Sequence, residues 1–282
     1  RRGASTTMGV WVGIWVTYDL VLSQLPNKKS TGPDPCSFQL LKILSPVISH
    51  LLTSLCNQII CQRKWPATLA QAKIVPVPKK KKFQYRKVGI TSAIGRIISK
   101  AIGQQLQTNI NKTLPPNLFG GIPALSTSDA ITQIKEAAIK ELSIKHNTVA
   151  IVACDASKAF DSVPRAAILG AIAQTGAKDS VIELVTSYLS NQSQFVEYKG
   201  IKSEVWRNNA VGFFQGDVWS TTLYNISTAG NTSLEDLDKS AKFVDDEVVV
   251  VSAAPDKIQQ AIVEKIKQKR KGFSDTGMVM EK

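Results

Sequence analysis

The sequence predicts an α+β fold, with a basic, helix-rich first half and a second half built as an antiparallel sheet backed by helices. Three observations carry that expectation. Apolar residues recur at helical spacing through the first half, β-branched runs and helical stretches mix after His146 without βαβ regularity, and the charge is distributed unevenly along the chain. A hydrophobic share of 43% and a charged share of 20% over 282 residues exclude a disordered chain and leave room for a sizeable core.

Taken in order, the apolar stretch 10–16 is ended by Asp19 and is too short to cross a bilayer, so neither a membrane span nor a membrane partner is expected. The chain opens at Arg1 without a signal-peptide pattern and reads as an internal fragment. Pro33 and Pro35 close this lead-in. Phe38, Leu41, Leu44, Ile48, Leu51, Leu52, Leu55 and Ile59 then repeat at helical spacing, with Pro46 expected to divide them into two helices. Ala72–Val77 and Tyr85–Ile90 flank a lysine run as a hairpin with a basic tip. Ile94 to Leu106 marks another helix, and Ser126 with Asp129 forms a capping box opening the next, through Leu142.

The second half reads as a strand over Val149–Asp155 and helices over Ala166–Gln174 and Val181–Leu189. A hairpin of Ser193–Tyr198 with Glu204–Val211 follows, then a helix over Val218–Ser227, a second hairpin over Ala241–Ser252, and a last helix bearing Ile258, Ile262 and Ile266.

The charge locates a partner. No carboxylate occurs between Asp34 and Asp129, while residues 35–128 carry 13 basic residues and the remainder of the chain is balanced, so the whole net charge of +13 lies in that block. A single-sign field of this extent suits a polyanion, and nucleic acid is the expected partner. Lys73, Lys80, Lys81, Lys82 and Lys87 are candidate contacts, with Phe83 and Tyr85 as stacking platforms beside the run. The four cysteines have no C-x-x-C spacing and the two histidines no metal-ligand spacing, so the chemistry must rest on carboxylates.

Two carboxylate sites stand in apolar, β-branched surroundings where a charge is costly unless neutralised: VAIVACD ending at Asp155, and KFVDDEVVVV with Asp245 and Asp246. A strand ending in Asp beside a hairpin whose tight turn is Asp-Asp would gather carboxylates at one sheet edge, an oxygen-rich setting for Mg2+. Two such ions can activate an attacking oxygen and stabilise a leaving one. Each piece alone also fits an ordinary hairpin turn or a helix cap.

Six motifs in order sharpen the reading. KKSTGPDP (28–35), WPATLAQAKIVPVPKK (65–80) with Tyr85 and Arg86, NLFGGIPALSTSDAI (117–131), CDASKAFDSV (154–163), GFFQGD (212–217) and FVDD (243–246) resemble the reverse transcriptase domain of non-LTR retrotransposons, with FSDTGMVM (273–280) similar to the start of a further motif. The resemblance implies a right-hand polymerase: residues 1–27 as lead-in, 28–146 mainly fingers, 147–282 mainly palm, part of 164–210 packing on the fingers, and the thumb absent. It implies Asp155 and Asp245 as principal ligands of two Mg2+ ions, with Asp246 and the Ala156 carbonyl beside them. Gln215 would line the nucleotide pocket, Arg86 and Lys79 would hold the triphosphate, and Phe160 would gate against a ribose 2′-hydroxyl. RNA template, DNA primer and deoxynucleoside triphosphates are the implied partners, together with the missing domains of a longer polyprotein.

The sequence departs from the family pattern at Phe214 (Pro), Asp217 (Ser), Val244 (Ala), Lys87 (Pro) and Gly121 (an aromatic). Asp217 is expected either to face the incoming triphosphate or to cap the helix beginning near Val218, and Asp161 to cap a helix. A non-catalytic remnant that only binds nucleic acid and an RNA-dependent RNA polymerase are the alternatives.

Overall fold

The computed structural model describes residues 18–25, 27, 30–79, 83–110, 113–157, 159–207 and 211–280. The apolar stretch 10–16 and Lys80, Lys81 and Lys82 lie outside the described residues.

A short helix α1 (Tyr18–Ser23) leads to α2 (Phe38–Gln62), whose N-terminus is capped by Ser37 accepting from the Leu40 amide. Pro46 does not divide α2, contrary to the expectation: it lies on an exposed side, where the helical hydrogen bond it removes costs least. As one 25-residue helix, α2 is by length and composition long and apolar enough to cross a membrane. Its other side is built into the protein through Phe38, Leu41, Cys56, Ile59 and Ile60.

Strands β1 (Gln71–Pro78) and β2 (Tyr85–Thr91) form the expected hairpin, in register from Ala72 opposite Thr91 to Pro78 opposite Tyr85. Helices α3 (Ala93–Ile110) and α4 (Thr127–Leu142) follow, the latter opened by Asp129, whose carboxylate accepts from the Ser126 amide at 2.7 Å and hydroxyl at 2.6 Å. These two bonds hold the Asp129 carboxyl below its ordinary pKa.

Next come β3 (Thr148–Ser157), α5 (Ala159–Ser162), α6 (Arg165–Gln174), α7 (Asp179–Ser190) and β4 (Ser193–Tyr198). The expected single return strand after β4 is instead two short pieces, β5 (Ile201–Lys202) and β6 (Trp206–Arg207), and β4 runs parallel to β1. The hairpin therefore completes a first sheet of order β2-β1-β4-β5 rather than belonging to the second. After α8 (Ser220–Thr228), β7 (Ser240–Phe243) and β8 (Asp246–Ala253) join β3 and, beyond helix α9 (Ile258–Asp275), β9 (Val279–Met280) in a second sheet of order β7-β8-β3-β9.

One large core links the two sheets: Ile59 and Ile60 of α2, Ile98 and Ile102 of α3, Leu184 and Tyr188 of α7, Leu223 and Tyr224 of α8 and Phe273 of α9 belong to one cluster. At its centre Trp65, Tyr188 and Trp219 meet edge to face with centroids 5.0–5.5 Å apart, and the Trp219 indole donates to the Ser99 carbonyl at 2.6 Å. The second sheet is further fixed by buried charge. Glu247 accepts from Lys269 at 2.8 Å and lies 3.9 Å from Lys242, and Asp236 accepts from Lys265 at 2.8 Å. Burial pushes the Lys242 ammonium down to about 8 despite the Glu247 carboxylate.

Candidate active site

Alternation along β3 and β8 places the carboxylates. Cys154 and Ala156 are buried while Asp155 between them is exposed, and Glu247 is buried while Asp246 is exposed. Asp155 and Asp246 are direct cross-strand partners, so they share the open face of the sheet. The turn between β7 and β8 is Val244–Asp245, not the expected Asp-Asp: Phe243 pairs with Asp246, which is already the first residue of β8. Val244 has φ 62°, the positive value that a two-residue hairpin turn demands.

A cleft of about 520 Å³ collects Lys79, Gln84, Tyr85, Arg86 and Lys87 from the β1–β2 hairpin with Asp155, Ala156, Phe160, Gln215 and Asp245. Of the sequence-predicted residues, Lys79, Arg86, Lys87, Asp155, Ala156, Phe160, Gln215 and Asp245 are thus brought together. Asp246 adjoins Asp155 on the sheet, whereas Lys73 is turned aside, 3.6 Å from Glu197.

The carboxylates feel one another. Burial first, and then the Asp246 charge, raise the Asp245 carboxyl above its ordinary pKa, with Arg86 opposing. The Tyr224 phenol is likewise raised by burial and then by Asp245, Glu247, Asp155 and Asp246. Concentrated negative charge of this kind is what a bound cation relieves. Among the described residues no three carboxylate, histidine or cysteine groups form a ready-made cage for an ion. The donor set nevertheless fits a hard divalent cation of the Mg2+ kind, which binds through one or two carboxylates plus substrate phosphates.

Phe160 is half-buried, its ring 5.7 Å from Phe213 and 5.4 Å from Tyr224, and one side faces the cleft. Gln215 is carried by a loop tied to the first sheet and to α5: its carbonyl accepts from Gly89 of β2 at 2.8 Å, while the Gly212 amide donates to the Val163 carbonyl just after α5 and the Phe213 amide to the Phe160 carbonyl. Phe214, where the family pattern has proline, is buried against Ala72, Ile74 and Val196 under the first sheet.

Asp217 neither faces the cleft nor caps α8. It is buried, accepts from the Tyr188 hydroxyl and lies 3.4 Å from Thr91 Oγ1, because Gly216 at φ 100° turns the chain inward. Asp161 is also not a cap, since it lies within α5; its carboxylate pairs with Lys87 at 3.1 Å.

Sequence reasoning missed Arg165, which is buried and braces the Gln215 loop by donating to the Gly212 carbonyl at 3.2 Å and to Gln192 at 2.9 Å. An arginine at the head of the apolar helix α6 was the available signal.

The basic β1–β2 hairpin thus shares one cleft with Asp155 and Asp245, and the family comparison is specific. The model for "Reverse transcriptase (RNA-dependent DNA polymerase)" matches residues 77–275, and the chain belongs to that family. Among curated proteins it is 26% identical over 226 residues to the retrovirus-related Pol polyprotein from type-2 retrotransposable element R2DM of Drosophila melanogaster, a match covering 77% of this chain and 20% of that protein. The chain thus spans about a fifth of that relative's length. This kinship bears out the non-LTR retrotransposon resemblance of the motifs and removes the RNA-dependent RNA polymerase alternative.

Solved structures give the fold. The apo telomerase of Candida tropicalis, truncated from its C-terminal domain, superposes with a TM-score of 0.55 at 16% identity, over 76% of this chain and 49% of that one. The telomerase of Candida albicans in complex with a TWJ fragment of telomeric RNA gives 0.56 at 15% identity, over 83% and 45%.

Proposed function

We propose that this chain carries the fingers and palm of a retrotransposon reverse transcriptase that extends a DNA primer on an RNA template, using deoxynucleoside triphosphates and two Mg2+ ions. The observation that supports the reading is the cleft, which Lys79 and Arg86 of the basic hairpin line together with Asp155, Asp245, Phe160 and Gln215. On this reading the fingers correspond mainly to residues 28–146 and the palm mainly to 147–282, with β4 to β6 extending the fingers sheet.

Asp155 and Asp245 would hold the metal ions, with Asp246 and the Ala156 carbonyl beside them. Bound there, the ions supply activation of the primer 3′-hydroxyl and stabilisation of the leaving oxygen. Arg86 and Lys79 would bind the triphosphate, Arg86 as a planar fork for phosphate oxygens. Gln215, fixed through Gly89, would orient the nucleotide. Phe160, held by Phe213 and Tyr224, would close the space below the sugar that a 2′-hydroxyl needs. Lys80, Lys81 and Lys82 would track the nucleic-acid backbone together with Lys87, which stays exposed beside Asp161, whereas Lys73, largely buried beside Glu197, would contribute least.

The remnant alternative draws its force from Phe214 and Asp217, and their burial away from the cleft weakens it. Incubating the chain with an RNA template, a DNA primer and Mg2+ tests the proposal: deoxynucleotide addition supports it, and template binding without addition favours the remnant.

A further inference from the structure

Val244 sits at φ 62°, the conformation its place in the two-residue turn requires and one that costs a β-branched residue strain. Residues 117–121 back this turn. The Lys242 amide donates to the Asn117 carbonyl at 2.7 Å, and the Phe119 and Gly120 amides donate to the Lys242 carbonyl at 2.8 and 3.3 Å. This strip lies so close to the turn that a Cβ on Gly120 would stand 2.4 Å from the Val244 nitrogen and 2.7 Å from the Phe243 carbonyl carbon. Both contacts are to backbone, so no side-chain movement could relieve them.

The strip is held from its other side by α8. Asn225, 1% exposed, donates from Nδ2 to the Gly120 carbonyl at 2.7 Å. Gly121, at φ 76°, passes so close to Thr221 of the same helix that a Cβ there would meet Cγ2 at 2.2 Å. A chain of contacts therefore runs from the Asn225 side chain through the Gly120 backbone to the turn at Val244, and Asp245 is the next residue. Neither Asn225 nor Gly120 lines the cleft.

We infer that Gly120 and Asn225 are positioning residues that set the Asp245 carboxylate against Asp155 by fixing the Val244 turn, and so determine how tightly the site takes a divalent cation. The inference rests on the reading of Asp155 and Asp245 as metal ligands. Residues that orient a ligand without touching the ion commonly change metal affinity about 10–100-fold when altered. Gly120→Ala should push the turn outward; Asn225→Ala adds no atom and releases the strip, so it carries the test if the former fails to fold.

Mn2+ binding to the chain, followed by the electron paramagnetic resonance of the free ion, separates the possibilities, with melting temperature recorded alongside. Gly170→Ala serves as a methyl-adding control, since nothing lies within 4 Å of that position. Asp245→Asn, Gly120→Ala and Asn225→Ala should each weaken Mn2+ binding by about 10-fold or more, with Gly170→Ala unchanged, at a temperature where every variant is folded. If Asp245→Asn weakens binding and folded Asn225→Ala binds as the parent does, the positioning role is wrong. If Asp245→Asn leaves Mn2+ affinity unchanged, the metal-site reading fails and the inference with it.

Discussion

Tyr188→Phe isolates what the carboxylate at position 217 does. Because Asp217 is buried against Tyr188 rather than open to the cleft, the substitution should lower stability and leave nucleotide addition unchanged. Burial raises both groups above their ordinary pKa values; the Tyr188 bond and the Arg96 charge work the other way on Asp217. A buried hydrogen bond to a charged group contributes about 1.5–3 kcal/mol. At about 2–4 °C per kcal/mol for chains of roughly this size, the melting temperature should fall by about 3–12 °C. Asp217→Ala should cost more, since it also strips the countercharge from Arg96 and leaves the Tyr188 hydroxyl without its acceptor. Denaturant unfolding of both single variants and the double variant gives the coupling energy. A value of about 1.5–3 kcal/mol is expected, and one below about 0.5 kcal/mol would refute the contact. A rise in kcat/KM for deoxynucleotides in Asp217→Ala would refute it differently, by returning the charge to the cleft.

Three further outcomes follow from the same geometry. Phe160→Val should raise ribonucleotide relative to deoxynucleotide incorporation, read as a ratio of kcat/KM values, and an unchanged ratio would reduce Phe160 to packing. Nucleic-acid affinity should fall by about 10³–10⁵-fold between about 50 and 200 mM salt if six to ten phosphates are contacted, and replacing Lys79 to Lys82 with alanine should flatten the slope by about 3–4; an unaltered slope would mean that the run touches no phosphate. Glu141, buried and held below its ordinary pKa chiefly by hydrogen bonds to Lys239 and Ser252, ties α4 to β8. With the folded value depressed, its stabilisation is complete above the unfolded pKa and is lost as pH falls through the folded one. Glu141→Gln should therefore melt lower than the parent at pH 7 and converge with it in acid; a pH-independent gap would contradict the assignment.

The fold was readable where local pattern decides structure. The Val and Ile runs around Lys79 to Lys82 gave the first hairpin, and the Ser126–Asp129 pair gave the start of α4, because short-range physics suffices for both. Asp155, Asp245 and Asp246 were legible as carboxylates stranded in β-branched runs, a cost that demands a purpose.

What stayed hidden depends on partners far along the chain. The parallel pairing of β4 with β1 joins segments about 120 residues apart, and no local pattern distinguishes it from a plain hairpin. Asp217 reads as a charge facing the triphosphate or as a helix cap until Tyr188 and Thr91 are seen to enclose it, and nothing local marks Lys242 for burial beside Glu247 and Lys269. Pro46 escaped for the opposite reason: the local rule is sound, but Pro46 sits on an exposed side of α2, where losing one helical hydrogen bond costs least.

The central claim is that Asp155 and Asp245 act on nucleotides through divalent metal rather than by holding nucleic acid. Asp155→Asn and Asp245→Asn are near-isosteric, and neither residue belongs to the basic block, so the direct comparison measures Mg2+-dependent primer extension on an RNA template alongside template–primer affinity for each variant and the parent. Extension should be abolished in both variants with affinity essentially intact. Extension at the parent's rate in either variant, or loss of binding in step with loss of extension, would contradict the account.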